Sequence, residues 1–150
     1  MYDNFKAYNV GGHRHTPEIE QAVTDLSGEP CVLSFTPHLV PMSRGILSTC
    51  YAKLKAGVKP EMVDAAYEKL YGKEYFVRLL GRGGYPSVKE VRGSNFCDLG
   101  WHIDERVGRV IVLSAIDNLV KGAAGQAVQN FNIACGFDEK LGLDMVPVYP

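Results

Sequence analysis

The sequence predicts an α+β fold, in which a mixed, largely antiparallel sheet carries helices on one face. Two observations favour this class. Apolar and polar residues alternate over 97–104 and again over 109–116, on either side of a tight turn, which is typical of a β-hairpin. Three other stretches, 17–26, 60–71 and 118–136, have the composition and spacing of helices.

Each predicted helix has start and stop signals. For the first, Thr16 is the expected N-cap, Pro17 the first helical residue and Gly28 the stop. For the last, Asp117 or Asn118 is the expected cap. The remaining apolar runs, which are short, are predicted strands: 31–36, 46–54, 75–80 and 88–92.

Composition narrows the possible partners. The chain of 150 residues has a one-domain length, with 16 basic and 17 acidic side chains. This balance argues against nucleic acid or an anionic membrane as the main partner. No apolar run approaches a membrane span, and no secretory signal is visible, so we expect a cytoplasmic protein. No metal cage is expected, because the four cysteines lie far apart: Cys31, Cys50, Cys97 and Cys135.

The segment from Gly11 to Glu18 has the strongest chemical potential. His13 and His15 are expected in the turn before a helix N-terminus, where the helix dipole disfavours an imidazolium. A neutral imidazole can act as a general base. The alternative is a polar loop with solvated histidines.

Two further features could bind ligands. Arg44 beside Gly45 could grip an anion, although a surface arginine in a turn explains the pair equally well. Gly122 and Gly125 give the last helix a flat side, which suits either close approach of a ligand or tight packing. The residues alone show no paired nucleophile and no dinucleotide fingerprint.

Three segments together resemble the N-acetyl-gamma-glutamyl-phosphate reductase family. They are HRHTPE at 13–18, FTPHLVPMSRGIL at 35–47 and DNLVKGAAGQAVQN at 117–130. The resemblance implies the C-terminal domain fold of glyceraldehyde-3-phosphate dehydrogenase-type enzymes. It also implies NADPH-dependent reduction of an acyl phosphate to the semialdehyde, in arginine biosynthesis, through a thioester on a cysteine.

The chain departs from the family pattern at its start. The family has an N-terminal nucleotide-binding domain whose end carries the catalytic cysteine, whereas no cysteine precedes His13. None of the four cysteines therefore takes that role, NADP would be bound mainly by the absent domain, and this segment alone is expected to be inactive. Residues 1–117 would be the substrate-binding and dimerisation domain, 118–136 a helix packing on the absent domain, and 137–150 a tail.

The resemblance also assigns residues. His15 is the first and His13 the second candidate for acid and base; the substrate candidates are Arg14, Arg44 and Glu18, and the cofactor candidates are Asn118, Gly122 and Gln126. The sheet with the hairpin is the expected surface of a homo-oligomer, a dimer or a tetramer. Two alternatives stay open: a non-catalytic dimeric binding or assembly module, and a sister semialdehyde dehydrogenase for another acyl phosphate.

Overall fold

A computed structural model describes residues 3–148 of the chain. The chain divides between Ser43 and Arg44 into two compact units. The smaller unit contains one helix and a pair of two-residue strands, and the larger unit contains the four-stranded sheet and the other helices.

Helix α1 of the smaller unit spans Thr16–Ser27, and its N-cap residue is His15. The prediction that Thr16 is the N-cap was wrong by one residue. The backbone carbonyl of His15 already accepts the N–H of Ile19 at 2.9 Å, so the helical ladder begins there. Gly28 ends the helix in the left-handed conformation, at φ 72°, as predicted.

The predicted strand at 31–36 does not form. The N–H groups of Cys31 and Leu33 instead bond side chains of α1, namely Thr24 Oγ1 at 2.9 Å and Glu20 Oε1 at 3.0 Å. These bonds satisfy backbone donors that a neighbouring strand would otherwise take. Among residues 3–43, the strand pairing is between β1, Lys6–Ala7, and β2, His38–Leu39, which are antiparallel.

The larger unit contains a sheet of four strands: β3 (Ile46–Lys53), β4 (Val77–Arg82), β5 (Cys97–Asp104) and β6 (Arg109–Ile116). Their order across the sheet is β3-β6-β5-β4. Strands β5 and β6 form the predicted hairpin, β3 pairs antiparallel with β6, and β4 runs parallel to β5. The mixed, largely antiparallel sheet is therefore confirmed.

The two long helical segments of this unit cover one face of the sheet. Helix α2, Pro60–Tyr71, stacks Tyr67 on Trp101 with ring centroids 4.4 Å apart. The terminal helical segment lies near Ile116, which pairs with Cys97 across the hairpin. Because Cys97 and Trp101 point to the same face of the sheet, this segment lies on the same face as α2. This segment begins as a π-helical turn, Val120–Ala124, and continues as α4, Gly125–Ala134.

The segment 88–92, predicted as a strand, is a one-turn helix. Helix α3 spans Val88–Val91, and its N-cap Ser87 accepts the N–H of Lys89 through its hydroxyl at 3.4 Å. Capping by serine favours a helical start over extension of the apolar run. Arg78 contacts both this helix and Asp98, on the face opposite Trp101.

The core is small and includes a residue of the tail. Leu143 is 3 % exposed, and the side chain of Asn132 donates to the carbonyl of Leu141 at 2.9 Å. The N–H of Val148 donates to the carbonyl of Arg92 at 2.8 Å. The other buried apolar side chains are Phe76, Val91, Trp101, Ile103 and Ala115.

Candidate functional site

The two histidines lie in the turn before α1, as predicted, but in different environments. His13 is buried, with its ring edge-on to Tyr8 at 5.5 Å and to Phe35 at 5.2 Å. Its Nδ1 accepts the backbone N–H of His15 at 3.2 Å. The ring of His15 is exposed and lies edge-on to His13, with centroids 4.8 Å apart.

The exposed residues of this turn surround the start of a helix. His15 is the N-cap residue, and its side chain makes no capping bond. Arg14 and Glu18 are also exposed. Gly11 adopts φ 70°, a conformation that favours glycine and that helps to reverse the chain before the histidines. The turn therefore presents an imidazole, a guanidinium and a carboxylate to solvent.

Asp117 directly follows β6, and its carboxylate accepts hydrogen bonds from four residues. It is fully buried, and its carboxylate accepts the N–H groups of Gly93 at 2.7 Å, Leu119 at 2.8 Å and Val120 at 3.1 Å. Burial by itself raises the pKa of Asp117, but these bonds and the one from Arg44 outweigh burial and lower the pKa below its ordinary value. The N-cap residue of the last helical segment is Leu119, not Asp117 or Asn118 as predicted, but Asp117 still accepts the N–H groups of Leu119 and Val120 at its start.

Arg44 is held by that carboxylate. Its Nη2 lies 3.1 Å from Oδ1 and 3.0 Å from Oδ2 of Asp117, while about a third of the side chain, 32 %, stays exposed. Its Nε is buried and has no partner among the described residues. The neighbouring Gly45 does not leave room for a ligand, since a Cβ there would lie 2.8 Å from Cβ of Val88.

Of the three cofactor candidates, Gly122 and Gln126 lie on the terminal helical segment and Asn118 lies in the turn before it, so the predicted start of this helix at 118 was two residues early. Two of the candidates have defined polar partners. Asn118 uses its Oδ1 to accept the N–H of Gly45 at 2.7 Å. Gln126 donates to Asn130 Oδ1 at 2.9 Å. Gly122 is exposed, and an added Cβ would meet Ile116 at an ordinary 3.4 Å, so packing within this unit does not require a glycine there.

Helix α4 buries polar residues and leaves apolar ones exposed. Its buried residues are Gly125, Gln129 and Asn132, whereas Phe131 is 60 % and Ile133 59 % exposed. A surface helix normally buries its apolar stripe, so α4 departs from the usual pattern. Of the exposed apolar residues, Val128 and Phe131 are three positions apart and therefore lie on the same side of the helix.

A hydrogen-bond network explains how the polar face of α4 is buried. The Oε1 of Gln129 accepts from Asn95 at 2.9 Å and from Lys121 at 2.7 Å, and its Nε2 donates to Glu139 at 2.5 Å. Burial lowers the pKa of Lys121. A Cβ on Gly125 would overlap Asn95 Oδ1, so tight packing, one of the two sequence-based interpretations, accounts for this glycine.

The four cysteines form no disulfide. All four are free, and burial raises the pKa of Cys97, which disfavours the thiolate. Within residues 3–148 no cluster of three or more histidine, cysteine or acidic side chains could hold a metal ion. Among those residues no helix is long and apolar enough to cross a membrane.

Sequence reasoning missed most of the buried polar residues. Asp117 was predicted only as a cap, and its contact with Arg44 joins positions 73 residues apart. Gln129 and Asn132 gave one signal, since their spacing places them on one side of a helix, but polar residues on one side usually face water. Ser94 and Asn95 are fully buried, although serine and asparagine are residue types typical of turns.

The fold is one that solved semialdehyde dehydrogenase structures also contain. The structure of a probable aspartate-semialdehyde dehydrogenase from Pseudomonas aeruginosa matches 88 % of this chain with a TM-score of 0.68 at 23 % identity, over 41 % of its own length. Aspartate semialdehyde dehydrogenase II from Vibrio cholerae matches 82 % with a TM-score of 0.64 at 20 % identity, over 37 % of its length. At such identities the likeness shows the fold alone.

The sequence matches are more specific. The family model described as "Semialdehyde dehydrogenase, dimerisation domain" matches residues 1–118, and the chain belongs to this family. Curated relatives named N-acetyl-gamma-glutamyl-phosphate reductase are 60 % identical over 149 residues in Geobacter sp. (strain M21) and 56 % over 148 residues in Thermoanaerobacter sp. (strain X514). The matched region is 99 % of this chain but 43 % of each relative, so the chain spans less than half the length of these proteins.

Proposed function

We propose that this chain is the substrate-binding and dimerisation part of an NADPH-dependent N-acetyl-gamma-glutamyl-phosphate reductase. The observation that carries the proposal is the 60 % identity, over 99 % of the chain, to a relative of that name. The reaction converts the acyl phosphate to N-acetylglutamate semialdehyde and phosphate in arginine biosynthesis, in the cytoplasm. The thiol that attacks the acyl phosphate is proposed to belong to the part of the enzyme outside this chain, because none of the four cysteines occupies the position of the family's nucleophile.

His15 is the proposed general acid and base. Its ring is exposed at the start of α1 and can therefore reach a substrate, and an imidazole can both accept and donate a proton. Arg14 and Glu18, exposed on the same turn, are proposed to contact the substrate. Arg44 is proposed to bind the carboxylate or the phosphate of the substrate, because a guanidinium can bind either group with two hydrogen bonds.

The terminal helical segment is proposed to face the nucleotide-binding domain and NADP, which supplies a hydride when bound. The exposed surface at Gly122–Ala124 carries only small side chains, which would let a planar ring approach, with Gln126 in the same segment and Asn118 in the turn before it. The exposed Val128 and Phe131, on one side of α4, support a protein contact beside it, because burying such side chains contributes about 1.5–3 kcal/mol each.

The sheet is the proposed surface of a homo-oligomer, a dimer or a tetramer. The family description names dimerisation. On the face opposite Trp101, strand β3 exposes Leu47 by 52 % and Tyr51 by 65 %, next to Ala115 and Ile111 of β6. These side chains give the edge of the sheet an apolar face that a second copy could cover.

The test is a comparison of two histidine variants of the complete reductase. His15→Asn should lower kcat by about 10²–10⁴-fold, as loss of a general acid or base does. The matched control is His38→Asn, since His38 is an exposed histidine of the same unit. Wild-type kcat in His15→Asn would refute the assignment.

The alternatives are separated by two further measurements. A non-catalytic assembly module would leave the complete protein without NADP binding or acyl-phosphate reduction, while the chain would still form a dimer by light scattering. A sister dehydrogenase would prefer aspartyl or aminoadipyl phosphate over the N-acetylglutamyl compound in side-by-side assays. The chain alone is expected to reduce none of them.

A further inference from the structure

We propose that His13 is a positioning residue for His15 and does not itself transfer the proton. This inference rests on the proposed role of His15 as acid and base. It separates two neighbouring imidazoles that the sequence leaves as alternatives.

The contacts of His13 are those of a structural support. The ring is 9 % exposed and lies against Tyr8 and Phe35, so little of it can reach a substrate. Its Nδ1 accepts the backbone N–H of His15 at 3.2 Å, and its ring supports the ring of His15 at 4.8 Å. The buried imidazole thus fixes both the backbone and one side of the exposed imidazole.

The hydrogen bond also selects the tautomer of His13. A backbone N–H can only donate, so Nδ1 must hold a lone pair, and a neutral ring then carries its proton on Nε2. A proton on Nδ1 of His13 would place two N–H donors opposite each other, and the hydrogen bond from His15 would be lost. His13 can therefore exchange a proton at Nδ1 only by releasing the turn that it supports.

The same unit provides an internal comparison. Nδ1 of His38 lies 3.0 Å from the carbonyl oxygen of Thr36. A carbonyl can only accept, so Nδ1 of His38 carries the proton, the opposite tautomer to His13. The two rings should therefore differ in one spectrum.

The first test measures the tautomers directly. Long-range ¹H–¹⁵N spectra of the ¹⁵N-histidine-labelled chain, without a polyhistidine tag, distinguish protonated from unprotonated ring nitrogens. The chain has four histidines, so His15→Asn, His38→Asn and His102→Asn spectra assign three of the signals and leave the fourth to His13. We expect an Nε2–H form for His13 and an Nδ1–H form for His38; an Nδ1–H form for His13 would overturn the inference.

The second test is a double-mutant cycle in the complete reductase. His13→Phe keeps a ring but loses the acceptor, and should lower kcat by about 10–100-fold through misplacement of His15. His13→Asn, whose Oδ1 can accept the same N–H, should recover part of that loss. In the His15→Asn background, His13→Phe should cost little more, because residues that act through one another are not additive.

The outcomes distinguish this inference from the proposed function. If His13→Phe lowers the kcat of the His15→Asn enzyme by the same factor as it lowers the kcat of the wild-type enzyme, then His13 acts independently and is not a positioning residue. If His15→Asn keeps wild-type kcat, the proposed role of His15 fails, and with it any catalytic purpose for the support. The tautomer of His13 reports on the hydrogen bond in either case.

Discussion

Replacing Asp117 by asparagine should strongly destabilise the larger unit. One carboxylate oxygen accepts from Leu119, Val120 and Arg44, and the other from Gly93 and Arg44. An amide has only one oxygen, so its NH₂ group must face at least one backbone N–H. That donor then stays buried without an acceptor, at a cost of about 1–3 kcal/mol.

Loss of the charge adds to this cost. The remaining bonds become neutral ones, and the guanidinium of Arg44 loses its counter-charge. Removing one partner of a buried pair costs about 3–5 kcal/mol. Because 32 % of Arg44 is exposed to water, we expect the lower end of this range. The whole substitution should therefore lower the free energy of unfolding by about 3 kcal/mol.

The assay is urea unfolding followed by the fluorescence of Trp101. This residue is the single tryptophan, and it is 3 % exposed in the same unit as Asp117. Asp104→Asn is the matched control, since Asp104 pairs with Arg106, which is 87 % exposed, and its loss should leave the midpoint nearly unchanged. The reasoning is refuted if the two variants unfold at the same urea concentration.

Acid provides a second check on the same variant. Because the folded-state pKa of Asp117 is lowered, its carboxylate contributes stability above the unfolded pKa of about 3.9. That contribution is lost as the pH falls through the lower folded-state value. The difference in unfolding free energy between wild type and Asp117→Asn should therefore shrink below about pH 4. A constant difference would show that the charge is not responsible.

Two predictions concern the terminal helix. Gly125→Ala should destabilise the chain by about 1–3 kcal/mol in urea unfolding, because its Cβ would lie 2.7 Å from Cγ1 of Val120, whereas Gly122→Ala should change stability by less than about 1 kcal/mol. Equal effects would contradict the packing argument. Phe131→Ser should leave the midpoint of the chain nearly unchanged, since Phe131 is 60 % exposed, but should lower the unfolding midpoint of the complete reductase. An unchanged reductase would rule out a domain contact there.

The elements that could be predicted from the sequence are those with long, regular patterns. The hairpin of β5 and β6 follows from eight residues of alternation on each side of a turn, and α2 begins at Pro60 as its start signal indicates. The failures at 31–36 and 88–92 are short apolar runs, for which periodicity does not distinguish a strand from other structures. There, side chains of α1 and the cap at Ser87 decide the conformation.

The candidate site divides in the same way. The position of His13 and His15 before a helix is local, so Pro17 and its surroundings were enough to predict it. The contact of Arg44 with Asp117 depends on the folding of the whole sheet between them, and no local pattern specifies it. Burial of His13 likewise needs Phe35, which is distant in sequence.

The attachment of the tail has a consequence for biosynthesis. Leu143 completes the core and Val148 bonds the carbonyl of Arg92, so the sheet gains its last supports from residues synthesised after all its strands. On the ribosome, the larger unit can reach its final packing only after residue 148 has emerged. Until then the core lacks Leu143, and the carbonyl of Arg92 lacks the N–H group that bonds it in the folded unit.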